Sequence, residues 1–359
     1  MRSERLVFHV YATFGTGGPQ VRAVQLMARM GPGWRHVVMA MDGCTDAARL
    51  LPQGVRCEVM APPSRRGFLA ATRHQARILR SLAPDLLVTC NWGSIETVAA
   101  ARVTGLRAHV HHEDGFGPGE SQRRLLRRNW MRRLLLRSVD VLVPSHTLER
   151  VARTEWGLGA RLQVLPNGVD TARFLQRTGA ALSAPVVGTV GGLRAEKDHA
   201  TLLRAFARVP APAQLRIVGD GPERASLERL ATELGISGRV RFTGARADVL
   251  PELQQLDVFA MSSSTEQMPL CLLEAMACGL PVVATDVGDV RVMLPEGSRG
   301  GLVPAGDVDG LARALTALCA DPLRRQREGA ANRQHCVAHY ELDACLAAWL
   351  AAYERAAAR

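Results

Sequence analysis

Aromatic side chains are scarce in this sequence: Phe, Trp and Tyr together make up 4% of 359 residues. A protein that grips nucleic acid by stacking bases needs more of them, and no nucleic-acid recognition motif occurs here. Long apolar runs are also missing, since none approaches the roughly 18 residues that a membrane-crossing helix requires. The eight cysteines (44, 57, 90, 271, 278, 319, 336 and 345) include no CxxC pair, and several lie in apolar stretches such as "LLVTCN". That pattern points to reduced, buried thiols in a cytoplasmic protein and away from a disulfide frame or a metal site. Fixed-period repeats and low-complexity segments are absent too, which argues against solenoids and arrays. The start, "MRSERLVFHVYATF", is basic. Its apolar part is short, contains His9 and leads into a glycine turn without a small-residue cleavage site, so it reads as a first strand.

What is present suits a soluble protein of two domains. Hydrophobic residues make up 47% and charged residues 22%, and a chain of this length outgrows one ordinary core. The net charge of +11 implies an anionic partner: nucleic acid, anionic lipid or nucleotide phosphate. Short β-rich runs alternate with helical periodicity throughout. They are "RLVFHVYA", "RHVVMAM", "VRCEVM", "DLLVTCN", "RAHVHH", "VDVLVPS" and "RLQVLP" in the first half. In the second they are "PVVGTVG", "QLRIVG", "RVRFTG", "LDVFAMS" and "PVVATD". Such alternation means α/β architecture with a parallel sheet and crossover helices, twice over. A boundary is expected where "TARFLQRTGAALSAP" lacks a strand pattern and ends in proline. This assigns residues 1–175 to one domain and 176–338 to a second. Residues 339–359 form an amphipathic helix with Leu342, Cys345, Leu346, Trp349, Leu350 and Tyr353 in one stripe, expected to dock back on the first domain.

Ligands on such sheets bind outside the carboxyl ends of the strands, so chemistry is sought in the loops that follow strands. After the first strand, Gly17 and Gly18 turn the chain into a helix. They can bring backbone N–H groups to an anion or simply make a tight turn. Gln20 stands at the third glycine position of GxGxxG, which argues against a nicotinamide enzyme. The second domain opens similarly with "VGGLRAEKDHATLL": Gly191 and Gly192, then Arg194 and Lys197 before a helix. Two cations there can neutralise a diphosphate, or they can be ordinary solvated side chains. In "STEQMPLCLLEAMACGLPVVATD", Glu266 lies in the loop and Glu274 inside a helix of Leu, Cys, Ala and Met. A carboxylate in such a helix needs hydrogen-bond donors, from a ligand's hydroxyls or from neighbouring protein groups. Glu266 can equally stabilise the helix N-terminus.

Together these motifs, with "LPNGVD", "VGDGPER" and "FTG", resemble the retaining GT-B glycosyltransferases of family 4 type across nearly the whole chain. The most specific match is E-x7-E, Glu266 and Glu274. The resemblance implies two Rossmann-like doubly wound domains facing an interdomain cleft, with a nucleotide-sugar donor held mainly by the second. It implies a diphosphate at the helix N-terminus near Met268, Pro269 and Leu270, with Gly219 among the donor-site glycines. Ribose hydroxyls would meet Glu274 and the donor sugar Glu266. The family's arginine position is Gly192 here, which leaves Arg194 as a candidate replacement, while Lys197 matches the family lysine. The family's functional histidine maps to "HVHHEDGFG", where His112 is the first choice and Asp114 the rival; His111 is expected to pack within its own strand.

The expected function is a metal-independent, retaining hexosyltransferase acting on a glycan or lipid-linked acceptor in bacterial-type polysaccharide or glycolipid synthesis. No cofactor is expected. A sugar-nucleotide epimerase of similar fold, or a non-enzymatic basic lipid- or nucleic-acid-binding protein, is the alternative. Asp307-Val308-Asp309 has the DxD spacing of metal-dependent transferases but precedes "GLARALTAL", where a helix cap is expected. The segment "SQRRLLRRNWMRRLLLR", 121–137, carries seven arginines. It is a candidate peripheral contact with the anionic inner face of the cytoplasmic membrane, or a solvated helix.

Overall fold

A computed structural model describes residues 4–63, 67–116, 120, 125–176 and 184–359. The chain divides into two compact units, residues 1–167 with 344–359, and residues 168–343.

The first unit is built on a seven-stranded parallel sheet: β1 (Arg5–Tyr11), β2 (Trp34–Ala40), β3 (Cys57–Met60), β4 (Leu86–Cys90), β5 (His109–His112), β6 (Asp140–Val143) and β7 (Leu162–Val164). The second has six parallel strands: β8 (Val186–Val190), β9 (Gln214–Val218), β10 (Val240–Gly244), β11 (Val258–Met261), β12 (Val282–Thr285) and β13 (Leu302–Val303). Every residue of β4, β11 and β12 is buried, because crossover helices cover both sheet faces and leave no polar side to alternate with.

The spatial orders are 3-2-1-4-5-6-7 and 10-9-8-11-12-13. Each reverses direction beside its first strand, so each has a switch point: between β1 and β4, and between β8 and β11. The α/β, Rossmann-like doubly wound fold class expected from the sequence is what the structure has. All twelve sequence-expected strands are present; β13 is additional, and its two residues between glycine and proline carry no readable period.

The unit division differs from the expected boundaries at 175/176 and 338/339. Residues 168–176 are held inside the second unit. Val169 N donates to Tyr340 O at 2.9 Å, Leu342 N donates to Val169 O at 3.0 Å, and Arg333 Nη1 donates to Phe174 O at 2.8 Å. The rest of the expected boundary stretch, 177–183, lies outside the described residues.

The last helix, Leu342–Ala357, buries Cys345, Leu346, Trp349 and Tyr353 of the expected stripe; Leu350 is half-buried, and Ala352 and Ala356 complete the covered face. Its aromatic side chains join the first unit's interior. Trp349 Nε1 donates to Pro166 O at 3.0 Å, and the Arg22 guanidinium stacks 4.0 Å from the Trp349 ring centre.

Candidate active site

In the second unit the loops after β8 and β11 flank the switch point, where a doubly wound sheet exposes its strand ends to a ligand. The first carries Gly191 to Asp198, the second Ser262 to Pro269. Serines join them: Ser262 Oγ donates to Lys197 O at 3.1 Å and Asp198 O at 2.8 Å, and Ser264 N donates to Glu196 O at 2.8 Å. Asp198 takes a left-handed backbone (φ 45°) and caps the helix His199–Phe206, receiving Thr201 Oγ1 at 2.7 Å. This fixes Lys197 so that its Nζ donates to Glu266 Oε1 at 2.5 Å, and Ser263 Oγ donates to the same oxygen at 2.7 Å. Burial alone would lower the Lys197 pKa, but the adjacent Glu266 carboxylate overrides it and holds the ammonium charged.

Glu274 is one turn inside the helix Leu270–Ala277. Among the described residues its carboxylate has no hydrogen-bond or ion-pair partner. Burial pushes its pKa to about 7, with Arg173 opposing and Asp248 reinforcing the rise. Pro269 stands at the N-cap, and among the described residues no side chain caps this helix, which leaves its N-terminal end able to receive an anion. The Met268 side chain is buried in the adjacent apolar cluster, which leaves its backbone as the part that can meet a phosphate. Burial also raises the Cys271 thiol to about 12, so it is inert there.

The glycines divide by role. Gly219 and Gly221 have φ of +145° and +158°, and a Cβ on either would collide with the carbonyl oxygens of Gly191 or Leu193. Their lack of a side chain thus lets two loops pack together, a requirement independent of any ligand. Gly191 and Gly192 border the Lys197 and Arg194 side chains. Arg194 is more than half exposed and pairs with Glu196 at 2.9 Å.

In the first unit the helix Gly18–Arg29 starts after Gly17 with no side-chain cap. Its Arg22 is fully enclosed and joins the two rival candidates of the sequence: Nη2 donates to Asp114 Oδ1 at 2.6 Å and to His112 Nδ1 at 3.4 Å, while Nη1 donates to Asn167 Oδ1 at 2.7 Å. Guanidinium only donates, so Nδ1 accepts and the His112 proton sits on Nε2, 3.0 Å from Tyr353 Oη. Burial first, and the Arg22 charge second, keep His112 neutral well below its ordinary range. His111 packs inside its strand as expected, bonded to Thr89 Oγ1 at 2.8 Å and Glu113 Oε2 at 3.0 Å.

Comparison with known proteins fits this arrangement. Residues 16–173 match the family described as Glycosyltransferase Family 4, and residues 184–321 match Glycosyl transferases group 1. A GDP-mannose-dependent alpha-(1-6)-phosphatidylinositol monomannoside mannosyltransferase of Mycobacterium tuberculosis is 32% identical over 92% of this chain and 89% of its own length. The chain belongs to the family 4-like glycosyltransferases. The lipopolysaccharide core biosynthesis glycosyltransferase LpsE of Rhizobium meliloti is 37% identical over 56% of this chain, and the match spans 60% of that protein's length. Among solved structures, Anabaena Alr3699/HepE in complex with UDP superposes with a TM-score of 0.80 at 20% identity, covering 98% of this chain and 100% of that one, which establishes the GT-B fold. The epimerase and binding-protein alternatives are not what these comparisons support.

Two further features of this glycosyltransferase bear on the sequence reading. Asp307 caps the helix Val308–Ala320 by accepting from Gly310 N at 2.8 Å, and Asp309 pairs with Arg208, so both carboxylates of the DxD spacing have protein partners. The basic segment forms the helix Leu126–Leu135; its first residues, 121–124, lie outside the described residues. Arg132 points inward between Glu113 (2.8 Å) and Glu120 (3.1 Å), and Arg128 meets Glu120 at 2.9 Å. Leu126 (84% exposed), Trp130 (66%) and Leu134 (46%) share the outer face. Arg127, Arg133 and Arg137 are exposed around them. Met131 and Leu135 lie half-buried, while Leu125, just before the helix, is 41% exposed.

Sequence reasoning missed Ser262 and Ser264 as the connectors of the two loops, and Ser263 as a partner of Glu266. The run "SSST" before Glu266 was the available signal, since short hydroxyl side chains commonly tie adjacent backbone segments together.

Proposed function

We propose that the protein moves a hexosyl group from a nucleotide sugar to a glycan or lipid-linked acceptor, with retention of anomeric configuration and without a metal ion. One observation carries this reading: two carboxylates flank the start of the Leu270–Ala277 helix, one clasped by Lys197 and the other half-buried without a hydrogen-bond partner among the described residues. A nucleoside diphosphate sugar complements that arrangement. Its diphosphate suits the helix N-terminus and the Lys197 ammonium, its ribose hydroxyls supply the donors Glu274 lacks, and its sugar hydroxyls reach Glu266. As the bond from the anomeric carbon to the diphosphate oxygen breaks, negative charge grows on the leaving group and positive charge on the sugar. Lys197 and the helix N-terminus stabilise the first, and Glu266 the second. Arg194 joins them only by leaving Glu196.

GDP-mannose is the leading donor candidate, because the relative matched over most of both chains is named for it. The first unit serves the acceptor, with His112 and Asp114 shaping that side through Arg22. The outer face of the Leu126–Leu135 helix attaches to an anionic membrane surface on its cytoplasmic side. The test is turnover of GDP-mannose and UDP-glucose with lipid-linked and glycan acceptors in saturating EDTA, with the product anomer assigned by NMR. An α-linked product formed in EDTA is expected; abolition by EDTA with recovery on adding magnesium or manganese overturns metal independence, and a β-linked product overturns retention.

A further inference from the structure

We infer that Ser263 and Thr285 form a positioning pair that decides which oxygen of Glu266 meets the donor sugar. The inference rests on the reading of Glu266 given above.

Both side chains are enclosed in the second unit: Ser263 is 1% exposed and Thr285 is wholly buried. Ser263 Oγ donates to Glu266 Oε1 at 2.7 Å, and Thr285 Oγ1, at the end of β12, donates to Ser263 O at 2.6 Å. The Glu266 backbone is clamped from the same side, since Asp289 N donates to Gln267 O at 2.9 Å and a Cβ at Gly288 would collide with Glu266 O. A fixed backbone still leaves the carboxylate free to turn about its own side-chain bonds. Only its hydrogen bonds set the orientation, and both that the structure records fall on Oε1, from Lys197 and from Ser263. Oε2 has no partner among the described residues.

The two donors are not equivalent. Lys197 carries the charge that a diphosphate would also attract, so its hold on Glu266 weakens when donor binds. Ser263 is neutral, buried and anchored by Thr285, and does not compete for phosphate. It therefore keeps Oε1 occupied through the catalytic cycle and leaves Oε2 as the oxygen presented to a sugar hydroxyl. Preorganisation of this kind acts on the transition state more than on nucleotide binding.

The experiment compares Ser263→Ala, Ser263→Cys, Thr285→Val, Thr285→Ser and Glu266→Gln, using whichever of GDP-mannose and UDP-glucose the parent protein turns over. Turnover number, affinity for the matching free GDP or UDP, and melting temperature are measured for each. Ser263→Ala should lower kcat about tenfold or more, the loss expected for one hydrogen bond to a charged group. Free nucleotide affinity should stay within about twofold of the parent. Ser263→Cys, which keeps the volume but donates weakly, should follow Ser263→Ala. Thr285→Val should move the same way by less, and Thr285→Ser, which keeps the hydroxyl, should resemble the parent. A folded Ser263→Ala variant with parental kcat, beside an inactive Glu266→Gln, overturns the pair's role alone. Parallel loss of kcat, nucleotide affinity and melting temperature across the serine variants also overturns it, in favour of a merely structural contact. Full turnover by Glu266→Gln refutes the sugar role of Glu266, and this inference with it.

Discussion

Lys197 Nζ stands 2.5 Å from Glu266 Oε1, and Lys197 is the only lysine of the chain, every other one of its 45 basic side chains being arginine. A compact ammonium on a flexible stem can pass from a carboxylate to a phosphate. A guanidinium in the same place would grip the carboxylate with a two-pronged fork. Lys197→Arg should therefore keep the charge yet lower turnover about tenfold or more, while Lys197→Met should lose both turnover and nucleoside diphosphate affinity. Steady-state kinetics and calorimetric titration with GDP and UDP check this. Parental turnover by Lys197→Arg would show that charge alone is needed there.

The pH dependence of stability follows from groups buried in uncharged form. Burial lowers His36 and His199 to about 4 and His109 to about 3, and holds His9 and His112 well below their usual range. Their unfolded values lie near 6.5, so below that pH the unfolded chain takes protons that the folded one refuses. Stability should hold above about pH 6.5 and fall steadily toward pH 4. Glu274 has the opposite sign. Raised to about 7 when folded, it favours folding most below its unfolded value of 4.5 and least above pH 7. Glu274→Gln should thus raise the melting temperature at pH 8 and have little effect at pH 5. Melting curves at pH 8, 6.5 and 5 for parent and variant test both signs; a destabilised Glu274→Gln at pH 8 would mean that its carboxylate is satisfied in the free protein.

The outer face of the Leu126–Leu135 helix should control attachment to anionic lipid. Leu126→Ser with Trp130→Ser removes the apolar contact, and Arg127→Gln with Arg133→Gln removes charge at about 1 kcal/mol per residue. Both double variants should sediment less with phosphatidylglycerol vesicles, and only the arginine pair should reduce the salt sensitivity of binding. Nucleotide affinity should not change. Equal sedimentation by parent and variants contradicts a membrane role for this face.

The fold was largely legible because a parallel sheet covered on both faces demands continuous apolar strands, and twelve such runs stand out between helical periods. The opening glycines after β1 and β8 and the carboxylates around "QMPLCLLE" were legible as loop chemistry at strand ends. What spacing could not show is which side chains meet. His112 and Asp114 read as rivals for one role, yet a single buried arginine, Arg22, binds both, and nothing local in "VRAVQ" marks that arginine as interior. Gly219 read as a phosphate-loop residue, while the backbone packing against Gly191 gives it a steric reason of its own. The seven arginines of 121–137 read as one charged surface, but Arg132 is buried against Glu113 and Glu120, which lie 19 and 12 residues earlier in the sequence and meet it only after folding.

The most direct test of the central claim, that the two carboxylates serve different parts of one donor, pairs Glu274→Gln with Glu266→Gln. Each is titrated with free GDP and UDP and assayed with the intact donor sugar nucleotide. Glu274→Gln should weaken free nucleotide and donor alike, because ribose contacts are the same in the ground and transition states. Glu266→Gln should spare free nucleotide and lower turnover. Each loss should be roughly tenfold to 150-fold, as expected for one charge-assisted hydrogen bond. Loss of free-nucleotide affinity by Glu266→Gln with parental affinity in Glu274→Gln would reverse the roles, and parental binding and turnover in both would contradict the account.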